Sequence, residues 1–127
     1  MAVPAEMELV SFITTELGDD LVVSFAVQDP TDPTEIESLT LVRSTKYESL
    51  VPPEERGVGV SFERFLDHDE DMLEEARYSK SEKTMHLETR LRWYDLDLRK
   101  VDPEELAKMC KVFRKMSRGG RFRCVGL

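Results

Sequence analysis

Residues 83–101 read KTMHLETRLRWYDLDLRKV and run directly into residues 102–120, DPEELAKMCKVFRKMSRGG. In the first stretch Met85, Leu87, Thr89, Leu91 and Trp93 alternate with His86, Glu88, Arg90, Arg92 and Tyr94. A period of two marks a strand with one face in a core, and it assigns Trp93 to that core. Leu96 and Leu98 then change parity. One inserted residue turns every later side chain to the other face, so a β-bulge, a bend or a tight turn between two strands is expected at Tyr94-Asp95. The second stretch opens with Asp102-Pro103-Glu104-Glu105. It offers a side-chain acceptor at the N-cap, proline at the first helical position and a glutamate at N3, with negative charge at the positive end of the helix dipole. Leu106, Met109, Cys110, Phe113 and Met116 form the apolar stripe, and Gly119-Gly120 ends the helix.

The segments around this core of the reading are strand-like. Residues 7–16 are rich in β-branched and aromatic side chains, and Leu21, Val23, Phe25 and Val27 alternate with polar or small neighbours. The turn formers Gly18-Asp19-Asp20 between them predict a hairpin. The prolines of 29–34 make a loop, and residues 36–45 are a third strand. Val58, Val60 and Phe62 alternate with Gly57, Gly59 and Ser61, which is read as a short edge strand weakened by glycine. In residues 63–78, Phe65, Leu66, Met72, Leu73 and Ala76 recur at a helical period, so a short amphipathic helix is expected there. Arg121 to Leu127 returns as a final strand. Strands preceding one strong helix, without a βαβ rhythm, point to a single α+β domain over residues 1–127. Its antiparallel sheet is expected to have about five to six strands, with the C-terminal amphipathic helix packed on one face and a final short strand.

Charge is divided along the chain. Residues 1–80 hold 19 Asp/Glu against 6 Lys/Arg, and residues 81–127 hold 7 against 12, within a formal net charge of −8. Hydrophobic residues at 40% with 35% charged place the chain among folded globular domains. No apolar run approaches the roughly 20 residues of a membrane helix, and the first residues lack the basic start and apolar stretch of a signal peptide, so a cytoplasmic location is expected. Cys110 and Cys124 have no CxxC spacing and read as small core residues. Net negative charge disfavours nucleic acid as a partner.

Motifs for chemistry are sparse. The acidic run 67–71 begins like a calcium loop, but Met72 stands at the sixth position where glycine makes the turn, and Tyr78 at the twelfth where a bidentate glutamate is needed. A site from Asp67, His68, Asp69 and Asp71 is outweighed by an ordinary solvated acidic stretch, and no metal or cofactor is expected. His68 and His86 stand in no nucleophile motif, and there is no Walker loop, GxGxxG or HExxH, which weighs against an enzyme. Arg90 and Arg92 share a strand side with Tyr94, and Arg121 and Arg123 would join them if the last strand pairs nearby. That patch suits an anion, an acidic protein segment or single-stranded nucleic acid, against the plainer reading that the arginines pair with carboxylates next door. Trp93 is a further candidate, lining an apolar pocket. The leading functional expectation is a non-catalytic binding protein whose acidic surface engages a basic protein partner. A small-molecule pocket between helix and sheet and an anion site on the arginine-rich end are the alternatives. A long strand over residues 83–98 would present an edge, so a homodimer that pairs the basic end of one chain with the acidic half of the other is a further alternative.

Overall fold

The computed structural model describes residues 7–65 and 71–127. Among these, eight strands and one α-helix occur in the order β1 (Glu8–Leu17), β2 (Asp20–Gln28), β3 (Ile36–Ser44), β4 (Gly59–Phe62), β5 (Asp71–Ser79), β6 (Thr84–Thr89), β7 (Trp93–Asp97), α1 (Pro103–Met116) and β8 (Arg123–Val125). Short 3₁₀ helices, Thr45–Leu50 and Pro53–Glu55, fill the β3–β4 connection. The strand order is β4-β3-β2-β1-β7-β6-β5-β8, and β4 also pairs with β5. Seven strands therefore close into a ring, and β8 takes the edge of β5 at residues 75–77, beyond the short β4 pairing at 71–72. The pairing is antiparallel except for β1 with β7 and β5 with β8. An odd-numbered meander can close only by bringing its first and last strands together in parallel, which is what β1 and β7 do.

Closure is short at both seams. β1 meets β7 only at Glu8↔Leu96 and Leu9↔Asp97, and β4 meets β5 only at Gly59↔Met72 and Val60↔Asp71. Helix α1 packs on β1 and β2 and buries Leu106, Met109, Val112, Phe113 and Met116 in the common core. Its start is capped as the sequence predicts, with Asp102 Oδ1 accepting the Glu104 amide at 2.9 Å. Glu105, which a capping box would turn back to the N-cap, instead accepts the Ile13 amide of β1 at 2.7 Å. That amide belongs to the part of β1 beyond the β7 pairing, where a buried donor needs a substitute partner. The other end of α1 is held by Arg43 of β3, only 7% exposed. Its Nη1 donates to the Met116 and Arg118 carbonyls, and its Nε and Nη2 make a bidentate pair with Glu48 at 2.7 and 3.0 Å. Cys110 and Cys124 are half-buried against the core, and burial pushes both thiols up. No helix among the described residues is long and apolar enough to cross a membrane.

The α+β class and the helix agree with the sequence, but eight strands replace the expected five to six. Two reasons account for the difference. Residues 71–79 form β5 where a helix was expected, while residues 66–70 lie outside the described residues. A β-bulge between Leu73 and Glu75 stretches the inward spacing there from two residues to three, so Leu73 and Ala76 imitate a helical period. The long strand over residues 83–101 is two strands, joined by a turn at 90–92. The parity change is thus a tight turn, placed a few residues before Tyr94-Asp95. Its consequence reverses two assignments: Tyr94 is buried opposite Leu87, and Trp93 is 74% exposed opposite Glu88. β4 is also not an edge strand, because Gly59 is paired with Val42 on one side and Met72 on the other.

Candidate functional site

The β6–β7 turn is fixed from beneath by Asp71, the first residue of β5. Its carboxylate accepts the Thr89 hydroxyl at 2.6 Å, the Leu91 amide at 3.1 Å and its neighbour Met72's amide at 3.0 Å. The Thr89 hydroxyl in turn accepts the Arg92 amide at 2.9 Å, and Arg90 N–H donates to the Met72 carbonyl at 3.0 Å. A turn with this many internal bonds holds Arg90, Leu91 and Arg92 in fixed positions. Asp71 is therefore a turn anchor. The other members of the acidic-run metal reading, Asp67, His68 and Asp69, lie outside the described residues.

Between this turn, β7 and the end of β4 lies an open groove of about 560 Å³, with Glu8 of β1, Phe62, Arg64, Phe65, Arg90, Leu91, Arg92, Trp93, Tyr94 and Asp95 among its lining. Rings and guanidinium groups alternate along it. Arg64 lies over the Phe62 ring at 4.8 Å and Arg92 over the Phe65 ring at 4.0 Å, separations at which a cation is attracted to the ring face. Phe62 meets Phe65 and Tyr94 edge to face at 5.6 and 5.7 Å. Arg64 is tied down by a bidentate pair with Glu8 (2.6 and 3.1 Å) and by Glu37 at 2.9 Å. The hydrogen bond to Glu8, helped by Glu37, outweighs partial burial and holds its guanidinium pKa well above the usual value.

The six candidate ligand residues are divided by the structure. Arg90, Arg92, Trp93 and Tyr94 line the groove, with Tyr94 as buried support and Trp93 as exposed rim. Arg121 and Arg123 stand elsewhere, because β8 pairs with β5 and not with β6 or β7. Arg123 lies 3.6 Å from Glu75, and Arg121 donates to the Pro53 carbonyl at 3.1 Å. Arg90 reaches the next carbonyl, that of Glu54, at 2.9 Å, so the 3₁₀ turn Pro53–Glu55 links Arg90 and Arg121 without bringing Arg121 into the groove. Sequence reasoning missed Arg64 and Phe65 as groove residues; a cation between two rings in Phe62-Glu63-Arg64-Phe65 was the available signal. A second groove of about 500 Å³ lies over the small-residue face of Gly57, Gly59 and Ser61, with Tyr47, Glu48 and Arg56 along it.

Beside the groove rim, the outer face of β5, β6 and β7 carries an ionic network. His86 Nδ1 lies 2.6 Å from Asp95 Oδ1 and Nε2 lies 3.2 Å from Glu88 Oε1. Both ring nitrogens face carboxylate oxygens, which accept when ionised, so the surroundings favour the protonated ring. Burial alone would lower the His86 pKa, but the hydrogen bonds and charges of Asp95 and Glu88 outweigh it and raise the value. A ring doubly engaged in this way is a poor general base. In comparisons with known proteins, no family model, no curated protein and no solved structure matches this chain, so the groove's role rests on its own side chains.

Proposed function

We propose that this domain is a non-catalytic binding module and that the Arg/aromatic groove receives a segment of a protein partner carrying carboxylates and an apolar side chain. One observation carries the reading: Trp93, 74% exposed, stands beside exposed Leu91 and Phe65 in a groove shared with three arginines. Leaving that apolar area in water costs about 25 cal/mol per Å², which a partner covering it recovers. Tryptophan and arginine are also the side chains that most often carry binding energy at protein interfaces. The open form of the groove suits a chain segment better than a small molecule buried on most sides. Arg90 supplies the anion preference, since its five-donor fork exceeds the one Glu54 carbonyl bound to it.

The acidic surface facing a basic partner is the competing proposal, and much of its charge already has local work. Asp29 closes its turn by accepting Thr31 N–H and O–H, and Asp32 does the same with Thr34. Glu8 and Glu37 neutralise Arg64, and Glu48 neutralises Arg43. Fluorescence of Trp93, the single tryptophan, separates the two proposals. A short Asp/Glu-rich peptide with one phenylalanine is expected to shift its emission saturably, more weakly at higher salt. A response to a Lys-rich peptide alone would transfer the function to the acidic surface, and no response to either would refute the groove.

A further inference from the structure

Glu75, His86 and Glu88 come together on the outer face of the sheet, with one ligand atom from each within 4.8 Å of the others. The register brings this about. Glu75 of β5 stands directly opposite Glu88 of β6, and His86 is two residues away on the same face. Like charges directly opposite each other on paired strands are destabilising unless a cation lies between them. His86 Nε2 and Glu88 Oε1 are 3.2 Å apart, close to the edge of about 3.3 Å of a tetrahedron with metal–ligand bonds of about 2.0–2.1 Å. The far nitrogen of the same ring is gripped by Asp95 at 2.6 Å. A carboxylate on the distal nitrogen orients an imidazole and makes its near nitrogen a better donor, an arrangement that recurs behind metal-bound histidines. Glu75 has a side chain only 10% exposed, with Arg77 at 3.2 Å and Arg123 at 3.6 Å. Both guanidinium groups are themselves mostly exposed, and a dication would displace the Arg77 hydrogen bonds to the two Glu75 oxygens at 3.2 and 3.4 Å and the looser Arg123 contact.

We propose that Glu75, His86 and Glu88 bind one divalent transition-metal ion of the zinc type, with Asp95 positioning the imidazole and water completing the coordination. One imidazole and two carboxylates form a donor set that suits zinc. The ion takes the place of the proton on Nε2, bridges the opposed glutamates and ties β5 to β6 beside the groove rim. No sequence motif announces the site, because its ligands come from two strands.

Zinc chloride titrated into the full chain, followed by calorimetry and by Trp93 fluorescence, tests the site, and cobalt(II) absorption reports its geometry. Saturable binding of one ion is expected, with a tetrahedral cobalt spectrum. Affinity should be lost in His86→Ala and Glu88→Gln, and should fall about 10–100-fold in Asp95→Asn. His68→Ala should bind as the parent does. Circular dichroism of each variant without metal separates a lost ligand from a lost fold, and Glu88→Gln serves if His86→Ala does not fold. Absence of binding in the parent overturns the proposal and leaves the cluster as an ion network, as does binding that survives His86→Ala or disappears in His68→Ala.

Discussion

Arg43 and Arg90 are the same side chain placed in opposite surroundings of one ring of strands. Arg43, on the inward face of β3, is buried, and its three nitrogens serve Glu48 and two carbonyls at the end of α1. Arg90, on the β6–β7 turn, is exposed and donates to one carbonyl of a 3₁₀ turn. Removing a buried charge's partner leaves an uncompensated group in a low-dielectric interior, whereas water takes over for an exposed one. The first arginine is therefore part of the fold, and the second is available for a partner.

The largest expected effect comes from breaking the buried end. Arg43→Met should strand Glu48 and the Met116 and Arg118 carbonyls and cost roughly 3–5 kcal/mol in urea denaturation; a loss near zero would mean that α1 is held by packing alone. Gly126→Ala should come next. Gly126 sits at φ +79, and a methyl group added there would run into the Tyr78 backbone of β5 from a backbone conformation that side chains disfavour. A loss above about 1 kcal/mol is expected. The Glu48 side of the buried pair predicts a pH dependence. The hydrogen bond from Arg43 outweighs burial and lowers the Glu48 pKa below its ordinary 4.5. A carboxyl depressed in the folded state contributes stability that is present above the unfolded value and lost as pH falls through the folded one. Acid titration of stability should therefore show a loss below about pH 4.5 that Glu48→Gln flattens.

At the groove the order of effects inverts. Trp93→Ala should change stability by no more than about 0.5 kcal/mol, as exposed substitutions do, yet remove most of the affinity for the acidic peptide, read by calorimetry because the variant has no tryptophan left to report. Arg90→Ala should be nearly silent in denaturation and weaken only the anionic component of binding, read as a flatter salt dependence. An Arg90 variant as unstable as the Arg43 variant would erase the distinction between the two ends.

Several parts of this molecule were legible in residue order because their causes are local. The hairpin of β1 and β2 follows from alternation around Gly18-Asp19, and α1 follows from Asp102, Pro103 and the stripe beginning at Leu106. β5 was hidden because its bulge gives a strand the spacing of a helix, and Trp93 was misplaced because a three-residue turn interrupts the alternation that seemed to continue through it. Arg64 escaped notice since its meaning lies in Glu8 and Glu37, distant in sequence and adjacent only after β1, β3 and β4 assemble.

Residue order was enough for an α+β chain with a capped C-terminal helix, the punctuation between most strands and the division of charge along its length, all consequences of periodicity, turn chemistry and composition within short windows. Tertiary structure alone decided that the strands close into a ring, that Trp93 faces water while Tyr94 supports the core, and that Glu75, His86 and Glu88 meet. Those outcomes depend on cross-strand register, and register is set by which strand lies beside which.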